Sequence, residues 1–381
     1  MKIIHLSDLH LGKIVLEQSM IEDQKYILNE VINIITKNTV EVVLISGDIY
    51  DRSIPTVDAV NLLNDFLTKL TEMKLKIFVI AGNHDSKDRL NFASRILESK
   101  NLYIEGTYTG NLKFVTLNDE YGELKIYMLP FVKPADVKPY FDEDIDSYET
   151  ALRLIIEKEN ISKNERNIIL THQFVTSGLE SPERSDSENS SLGGIDNVDV
   201  SIFDDFDYVA LGHIHGPQKL KRDTVRYAGS PLKYSFSECN HKKSIPVIDF
   251  KETVEYKLEP LKPIRDMREI KGPIDELLSE NIYQNTNTDD YIKAILTDEE
   301  DIYDAIGRIR KIYPNVLRLE IENTKTSINL ESKTAASGNI KERTELELFS
   351  EFYLNQNNVT LSDKQIEIMN KIIMEVQNET N

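Results

Sequence analysis

The 381-residue chain contains no tryptophan and a single cysteine, Cys239. One cysteine cannot close an internal disulfide, so packing alone must hold the fold, and a reducing interior, the cytoplasm, is the expected compartment. Long apolar runs are also missing. No stretch approaches the ~18 consecutive apolar residues that a membrane helix requires, and no membrane partner is expected. The start, Met1-Lys2-Ile3-Ile4-His5, enters a strand pattern directly, without the basic and apolar regions of a signal peptide. Positive charge is scarce: 45 Lys and Arg stand against 65 Asp and Glu, a formal net charge of −20. Sequence-independent binding to DNA rests on cations that neutralise phosphates, so this balance argues at first sight against nucleic acid. Carboxylates that hold divalent cations reverse the local field whatever the total, and a partner can add basic surface.

What is present describes a globular protein, 40% hydrophobic and 29% charged. Single cores mostly stop growing at about 250 to 300 residues, so two or three units are expected. The chain is organised around Gly47-Asp48-Ile49-Tyr50-Asp51-Arg52, which follows the apolar run Val42-Val43-Leu44-Ile45 and sets two carboxylates just past its end. Four other stretches repeat that arrangement. Lys2 to Leu6 runs into Ser7-Asp8-Leu9-His10, and Ile77 to Ala81 into Gly82-Asn83-His84-Asp85. Ile168 to Leu170 runs into Thr171-His172-Gln173, and Tyr208 to Leu211 into Gly212-His213-Ile214-His215. Five β-type runs, each followed by Asp, Asn or His, predict polar groups gathered on one edge of a sheet, where open α/β sheets place their sites.

Between these strands, residues 17 to 37 carry Ile21, Ile27, Leu28, Val31, Ile34 and Ile35 at helical spacing. Thr56 is the expected N-cap of a second helix with Val57, Val60, Leu63, Leu67 and Leu70 on its apolar face. Strand and helix alternate through Arg89 to Leu97, Lys125 to Leu129, Ser147 to Glu157 and Asn167 to Thr171, which predicts a sheet with helices on its faces. Ser177 to Asn197 is polar and aperiodic, a long loop of the kind that is more often functional or mobile than idle. Val247 to Phe250 and Val254 to Leu258 read as a hairpin that closes the first domain before Pro260 and Pro263.

Ile264 to Ile270, Pro273 to Leu278, Tyr291 to Leu296, Glu299 to Ile312 and Val316 to Ile321 then predict a small β-α-β-α-β unit. Thr324 to Lys341 reads as a linker. Thr344 with Glu347 and Ser362 with Gln365 have capping-box spacing ahead of Leu348, Phe349, Phe352, Tyr353 and of Ile366, Met369, Ile372, Ile373, Val376. Two short amphipathic helices cannot bury such faces alone, so they dock either on their own chain or on another. The expected division is 1–260, 261–323, a linker over 324–341, and a helical segment over 342–381.

Of seven histidines, five (His10, His84, His172, His213, His215) lie just past predicted strands, with Asp8, Asp48, Asp51, Asn83 and Asp85. Any one of them would ordinarily be a core histidine bonded to a carbonyl. Five in the same relative position are not coincidence. Imidazoles, carboxylates and an amide, without cysteine, favour an ion that takes mixed nitrogen and oxygen ligands, such as manganese, iron or zinc. The supply exceeds what one ion takes, so two are expected, with Asp48 the natural bridge.

The ordered set Asp8-x-His10, Gly47-Asp48-x-x-Asp51-Arg52, Gly82-Asn83-His84-Asp85, His172 and Gly212-His213-x-His215 resembles the calcineurin-like metallophosphoesterase superfamily. Within it, Ser7 to Lys13, Ala210 to His215, Ala228-Gly229-Ser230-Pro231-Leu232, Ser235 to Glu238 and Tyr313-Pro314-Asn315-Val316 look like the bacterial SbcD family of nuclease subunits.

The resemblance implies an αββα sandwich with a small β-α-β-α-β capping domain and C-terminal partner-binding helices. It implies a DNA nuclease, 3'-5' exonuclease and structure-specific endonuclease, that acts on double-strand ends and hairpins in repair and recombination. Its cofactors would be two divalent ions, manganese first. One would be held by Asp8, His10, Asp48 and His215, the other by Asp48, Asn83, His172 and His213. His84 would orient phosphate and protonate the leaving oxygen, and Asp51 would hydrogen-bond His84 to hold its orientation.

Arg52 stands where related phosphatases grip phosphate, but Ser53 and Asp85 depart from their pattern, so a surface arginine without a catalytic role is an equal reading. His5 and His241 are read as structural or solvent-exposed. Implied partners are DNA, a coiled-coil ATPase bound through residues 342–381, and a second copy of the chain, giving a homodimer and a heterotetramer with the ATPase, cytoplasmic and nucleoid-associated. Competing readings are a phosphodiesterase or phosphatase of small or protein substrates and a silent scaffold subunit. The scaffold reading requires a lost ligand, and all positions are filled.

Overall fold

The computed structural model describes residues 1–178, 180–188, 196–323, 344, 346–350, 353 and 360–379. Two compact units divide it, Met1–Met267 and Arg268–Asn381.

Strands Val42–Ser46 and Lys76–Ile80 are apolar but for one end residue each, Arg166–Thr171 is apolar from Ile168 to Leu170, and all three are almost wholly buried. Such runs suit parallel strands covered on both faces. They are shared between two six-stranded sheets. In the first, Lys2–Leu6 pairs in parallel with Val42–Ser46, which pairs with Lys76–Ile80 and that in turn with Leu102–Glu105. On its other side Lys2–Leu6 pairs antiparallel with Ser244–Phe250, the inner arm of the expected hairpin with Val254–Pro260. The second sheet runs Gln218–Leu220, Arg222–Tyr227, Tyr208–Leu211, Arg166–Thr171, Gly122–Leu129, Lys113–Asp119.

The two-residue period of each strand explains the layering. Ile3, Val42, Leu44, Phe78 and Ile80 of the first sheet meet Ile126, Met128, Ile168, Leu170, Tyr208 and Ala210 of the second in one buried cluster between the sheets. Alternate residues of the second sheet, Tyr127, Leu129, Ile169, Val209 and Leu211, pack with Ala151, Leu152 and Ile155 of helix Tyr148–Lys158. Helices Ile21–Asn38 and Val57–Glu72 bury Ile27, Leu28, Val31, Ile35 and Ala59, Leu63, Phe66, Leu70. Helix, sheet, sheet, helix is the αββα order expected. The strand ends, however, lie on the edges of two facing sheets and not on one.

Thr56 caps its helix as expected, its hydroxyl accepting from the Ala59 amide at 3.3 Å. The first helix starts at Ile21 and not at 17, because Ile14–Val15 and Gln18–Ser19 form a tight hairpin with Leu16 and Glu17 at positive φ. The expected helix over Arg89 to Leu97 is two short ones, Lys87–Leu90 and Ser94–Leu97, broken where Ala93 turns left-handed at φ 59°.

In the second unit, strands Met267–Gly272, Tyr291–Leu296 and Val316–Ile321 form a sheet in that order. Ile270, Ile274, Leu277, Ile292, Leu296, Ile309 and Tyr313 make its core. The helix expected over Glu299 to Ile312 covers only Ala305–Arg310, because the Asp304 side chain caps the Gly307 amide and starts the helix there. Further on, Thr344 and Glu347 form the predicted reciprocal capping box, with amide-to-side-chain distances of 2.8 and 3.3 Å. Ser362 donates to Gln365 ahead of helix Asp363–Glu379, and Gln365 Nε2 reaches the Tyr353 hydroxyl at 2.9 Å. The expected linker, Phe352 and the side chain of Val376 lie outside the described residues.

Candidate metal centre

Each strand end delivers its side chains by a sharp turn. Asp8, His10, Asp48 and His213 adopt positive φ (52°, 43°, 49° and 99°), a conformation that non-glycine residues hold only when their surroundings enforce it. Main-chain bonds do so: Asp8 N to Gly47 O (3.1 Å), His10 N to Asp48 O (3.0 Å) and Leu11 N to Ile49 O (2.9 Å) zip two of the loops together. The amide of His213, from the second sheet, donates to both oxygens of Asp8 at 3.0 and 3.2 Å. Glycines permit the close approach. A Cβ on Gly47, itself at φ 87°, would lie 2.4 Å from the His172 ring, and one on Gly82 2.1 Å from Asp48 Oδ1.

Asp48 is the centre of the constellation. Its Oδ1 accepts from the His84 amide at 2.9 Å. Its Oδ2 lies 3.3 Å from His172 Nε2, 3.6 Å from His10 Nε2 and 3.9 Å from His84 Nε2. To one side, His10 Nε2 faces His215 Nε2 at 3.1 Å. To the other, Asn83 Oδ1 lies 3.2 Å from His172 Nε2 and 2.9 Å from His213 Nδ1. Ligand-type atoms fall within 4.8 Å of one another in three overlapping groups: Asp8, His10, His215; His10, Asp48, His84; and Asp8, Asp48, His172. The structure thus brings together all seven expected ligands and His84.

Burial sets the charge of these groups. Burial, only partly offset by Asp48, holds His10 well below the usual imidazole range, and burial together with the neighbouring His172 holds His213 at about 3, so both present lone pairs. Burial pushes Asp8 up to about 6, against the pull of His172 and His215. Burial would raise Asp48 too, but the His172, His10 and His84 imidazoles outweigh it and keep the carboxyl well below its usual range. Burial works against charge on His172, yet Asp48 and Asp8 hold its proton up to about 9. Buried carboxylates need positive charge beside them, and the chemistry of the donor set, with His10 and His213 held neutral, fits a divalent cation. His10 supplies a second sign: its buried Nδ1 has no hydrogen-bond partner.

His84 departs from expectation in one respect. Its Nδ1 pairs with the main-chain carbonyl of Asp51 at 2.9 Å, not with the carboxylate. That carboxylate is taken by Lys13 Nζ at 2.8 Å, with His10 Nδ1 at 3.7 Å and Arg52 Nε at 3.5 Å. The Arg52 side chain is two-thirds exposed. Asp85 accepts from the Ile49, Tyr50 and Gly82 amides and so fastens the Asp48 loop to the next strand end. His5 is buried between the sheets, Nδ1 3.1 Å from the Tyr208 hydroxyl, while His241 lies 3.8 Å from Glu238.

Several supports were not anticipated. Ser46 O, 2.7 Å from His172 Nδ1, accepts a hydrogen bond from that nitrogen and so turns Nε2 towards Asn83 and Asp48. Behind His215 lie the buried pair Glu238 and Lys243 and the half-buried Ser187. Lys243 belongs to no motif in the sequence, and Glu238 figured only within a resembling stretch.

A buried cluster of carboxylates, imidazoles and one amide, at the edges of two facing sheets, defines a divalent-metal phosphoesterase. The family described as "Calcineurin-like phosphoesterase" matches residues 1–217, and "Type 5 capsule protein repressor C-terminal domain" matches residues 263–357. A curated protein of Staphylococcus epidermidis, the SbcD subunit of the nuclease SbcCD, is 34% identical over 372 residues, which covers 96% of each chain. Among solved structures, a dimetal phosphatase from Danio rerio is 13% identical at a TM-score of 0.43, covering 68% of this chain and 97% of its own. TT1561 of Thermus thermophilus is 11% identical at 0.39, covering 68% and 98%. The chain belongs to the calcineurin-like phosphoesterases and, within them, to the SbcD family of nuclease subunits.

Proposed function

We propose that the chain is the nuclease subunit of an SbcCD-type complex and hydrolyses DNA phosphodiester bonds as a 3'-5' exonuclease and structure-specific endonuclease at double-strand ends and hairpins. Asp48 carries this reading, because one carboxylate oxygen within 3.6 Å of both His172 and His10 can serve two ions at once. Asp8, His10, Asp48 and His215 would hold one ion and Asp48, Asn83, His172 and His213 the other, with manganese as the expected metal. Such a pair supplies an acidified water as nucleophile and neutralises charge on the phosphoryl oxygens.

The chain's own residues do the rest. His84, its Nδ1 fixed on the Asp51 carbonyl, directs Nε2 into the centre, where in its charged form it binds a phosphoryl oxygen and protonates the leaving oxygen. Asp51 acts through that carbonyl, while its carboxylate neutralises Lys13. Arg52, exposed at the rim, is placed to meet backbone phosphate beyond the scissile one.

The partners follow from the surfaces. Ile54, Val57, Val60, Phe92 and Ile96 are all exposed, and apolar exposure of this kind suits a second copy of the chain. The terminal helices, with Leu348, Ile368 and Ile372 exposed, suit the coiled coil of an SbcC-type ATPase. The domain reading remains 1–260 nuclease, 261–323 cap, 324–341 linker and 342–381 ATPase-binding segment, in a cytoplasmic, nucleoid-associated complex.

The test compares manganese-dependent hydrolysis of linear duplex DNA, bis-p-nitrophenyl phosphate and a phosphopeptide by wild type and Asp48→Asn. DNA should be the preferred substrate, and Asp48→Asn should lose both turnover and bound metal. Preference for the phosphopeptide, or two ions still bound to the variant, would defeat the proposal.

A further inference from the structure

Nothing in the reaction so far employs the polar loop after His172, yet part of it lies directly against a ligand. Ser187 Oγ is 2.7 Å from His215 Nδ1 and 2.5 Å from Glu238 Oε1. Glu188, the next residue, accepts from the His215 amide at 2.7 Å, and Ser185 donates to Glu188 at 2.8 Å. Asp186 N is tied to Ser237 Oγ at 2.9 Å. The segment therefore grips His215 by both its ring and its main chain.

The distances within this cluster order its donors and acceptors. Glu238 is fully buried, and Lys243 Nζ donates to its Oε2 at 2.6 Å. Lys243 also donates to His215 O and Ser230 Oγ, both at 2.8 Å, so its ammonium has three acceptors in all. Glu238 therefore faces the Lys243 ammonium as a carboxylate. A carboxylate accepts only. Two oxygens 2.5 Å apart require a proton between them, and that proton is the one the Ser187 hydroxyl carries. Having donated it, Ser187 Oγ accepts from His215 Nδ1, which leaves Nε2 as the ring nitrogen turned towards the centre. Nε2 is the atom that faces His10 Nε2 at 3.1 Å.

We infer that Ser187 is a positioning residue for metal binding: with Glu238 and Lys243 it sets the tautomer and orientation of His215 so that Nε2 ligates. The inference rests on the two-ion reading for its consequence, though not for the tautomer itself. A ligating imidazole gains basicity and orientation when its other nitrogen donates to a carboxylate or carbonyl, and loss of that partner typically weakens metal binding about 10- to 100-fold. Here a hydroxyl stands between ring and carboxylate.

The experiment uses the full chain, Mn2+ alone as probe, and two readouts. Long-range proton–nitrogen correlation on metal-free protein with labelled histidine, His215 being assigned by the His215→Gln variant, should show the proton on Nδ1. Calorimetric titration with Mn2+ should show Ser187→Ala losing about 10- to 100-fold at one of two sites, with the other site and the thermal midpoint unchanged and Ser187→Thr restoring affinity. A wild-type His215 protonated on Nε2, unaltered Mn2+ affinity in Ser187→Ala, or equal loss in Ser187→Thr would overturn the assignment. If wild type bound fewer than two ions, the two-ion reading would fail while the tautomer measurement still decided the role of Ser187.

Discussion

Gly82→Ala is the sharpest probe of the centre, because it leaves every proposed ligand and the proposed general acid in the sequence and moves only their spacing. A Cβ at position 82 would lie 2.1 Å from Asp48 Oδ1 and 2.3 Å from Asp48 N. Real Cβ atoms essentially never approach heavy atoms closer than 3.0 Å, so Asp48 must retreat by about 0.9 Å or the Gly82 strand end must lift by as much. Neither can yield freely. Asp48 O is bonded to His10 N, and Gly82 N donates to Asp85 at 2.9 Å. Since Asp48 Oδ2 is only 3.3 and 3.6 Å from His172 and His10 Nε2, a shift of this size breaks the geometry that would let one oxygen serve both sides. A misplacement of ~1 Å costs on the order of 10²-fold in rate. The assay is manganese-dependent nuclease turnover with metal counting by elemental analysis, alongside a thermal melt. The expected result is a folded protein with turnover lowered about 10²-fold or more and fewer than two ions. A folded Gly82→Ala protein with wild-type turnover and metal content would refute the claim that Asp48 is placed by this contact.

Other outcomes follow from the same geometry. His84→Gln should retain metal and lose ~10²- to 10⁴-fold in turnover, since its Nδ1 is committed to a carbonyl and only Nε2 faces the chemistry; loss of metal along with activity would make it a ligand. Arg52→Ala should have a smaller effect, visible mainly as a salt-dependent rise in KM for DNA. Deleting residues 340–381 should spare nuclease turnover and abolish capture of the ATPase in a pull-down; retained capture would show that the helices pack on their own chain. Acid should destabilise the protein through His5, whose pKa burial lowers from 6.5 to about 3. The unfolded chain binds this proton below pH 6.5 and the folded chain does not, so stability present above that pH is lost as pH falls towards 3. At pH 5 the loss from this group is about 2 kcal/mol, measurable as the difference in urea midpoint shift between wild type and His5→Gln; identical shifts would mean that His5 protonates in the folded state.

The strands were the most legible part of the chain because continuous apolar runs such as Val42 to Ile45 need cover on both faces, and Tyr291–Leu296 and Val316–Ile321 begin and end where their apolar pattern does. Helix limits were less so, since periodicity continues through residues whose backbone has already turned. Ala93 is apolar and falls within a helical pattern, yet it sits at φ 59° and splits the helix. The partition of five strand ends between two sheets is a matter of pairing, and pairing between Ile3 and Val42 or between Tyr208 and Ile168 leaves no local mark in either partner.

The proposed ligands were legible for a different reason: chemistry at a strand end is unusual, and its repetition five times is unusual again. The same reasoning could not find what holds them. It assigns the Asp51 carboxylate to orient His84, because composition reports side chains, whereas the orienting atom is the Asp51 main-chain oxygen, which every residue possesses. The His172 support, Ser46 O, escapes for the same reason. Glu238 and Lys243 escape for another, being ordinary charged residues until burial leaves them facing each other at 2.6 Å behind His215. First contacts to a reacting centre demand particular residue types and so announce themselves. Supports demand only a donor or acceptor in the right place, which many residues or any peptide group can supply, and only the folded chain says which one does.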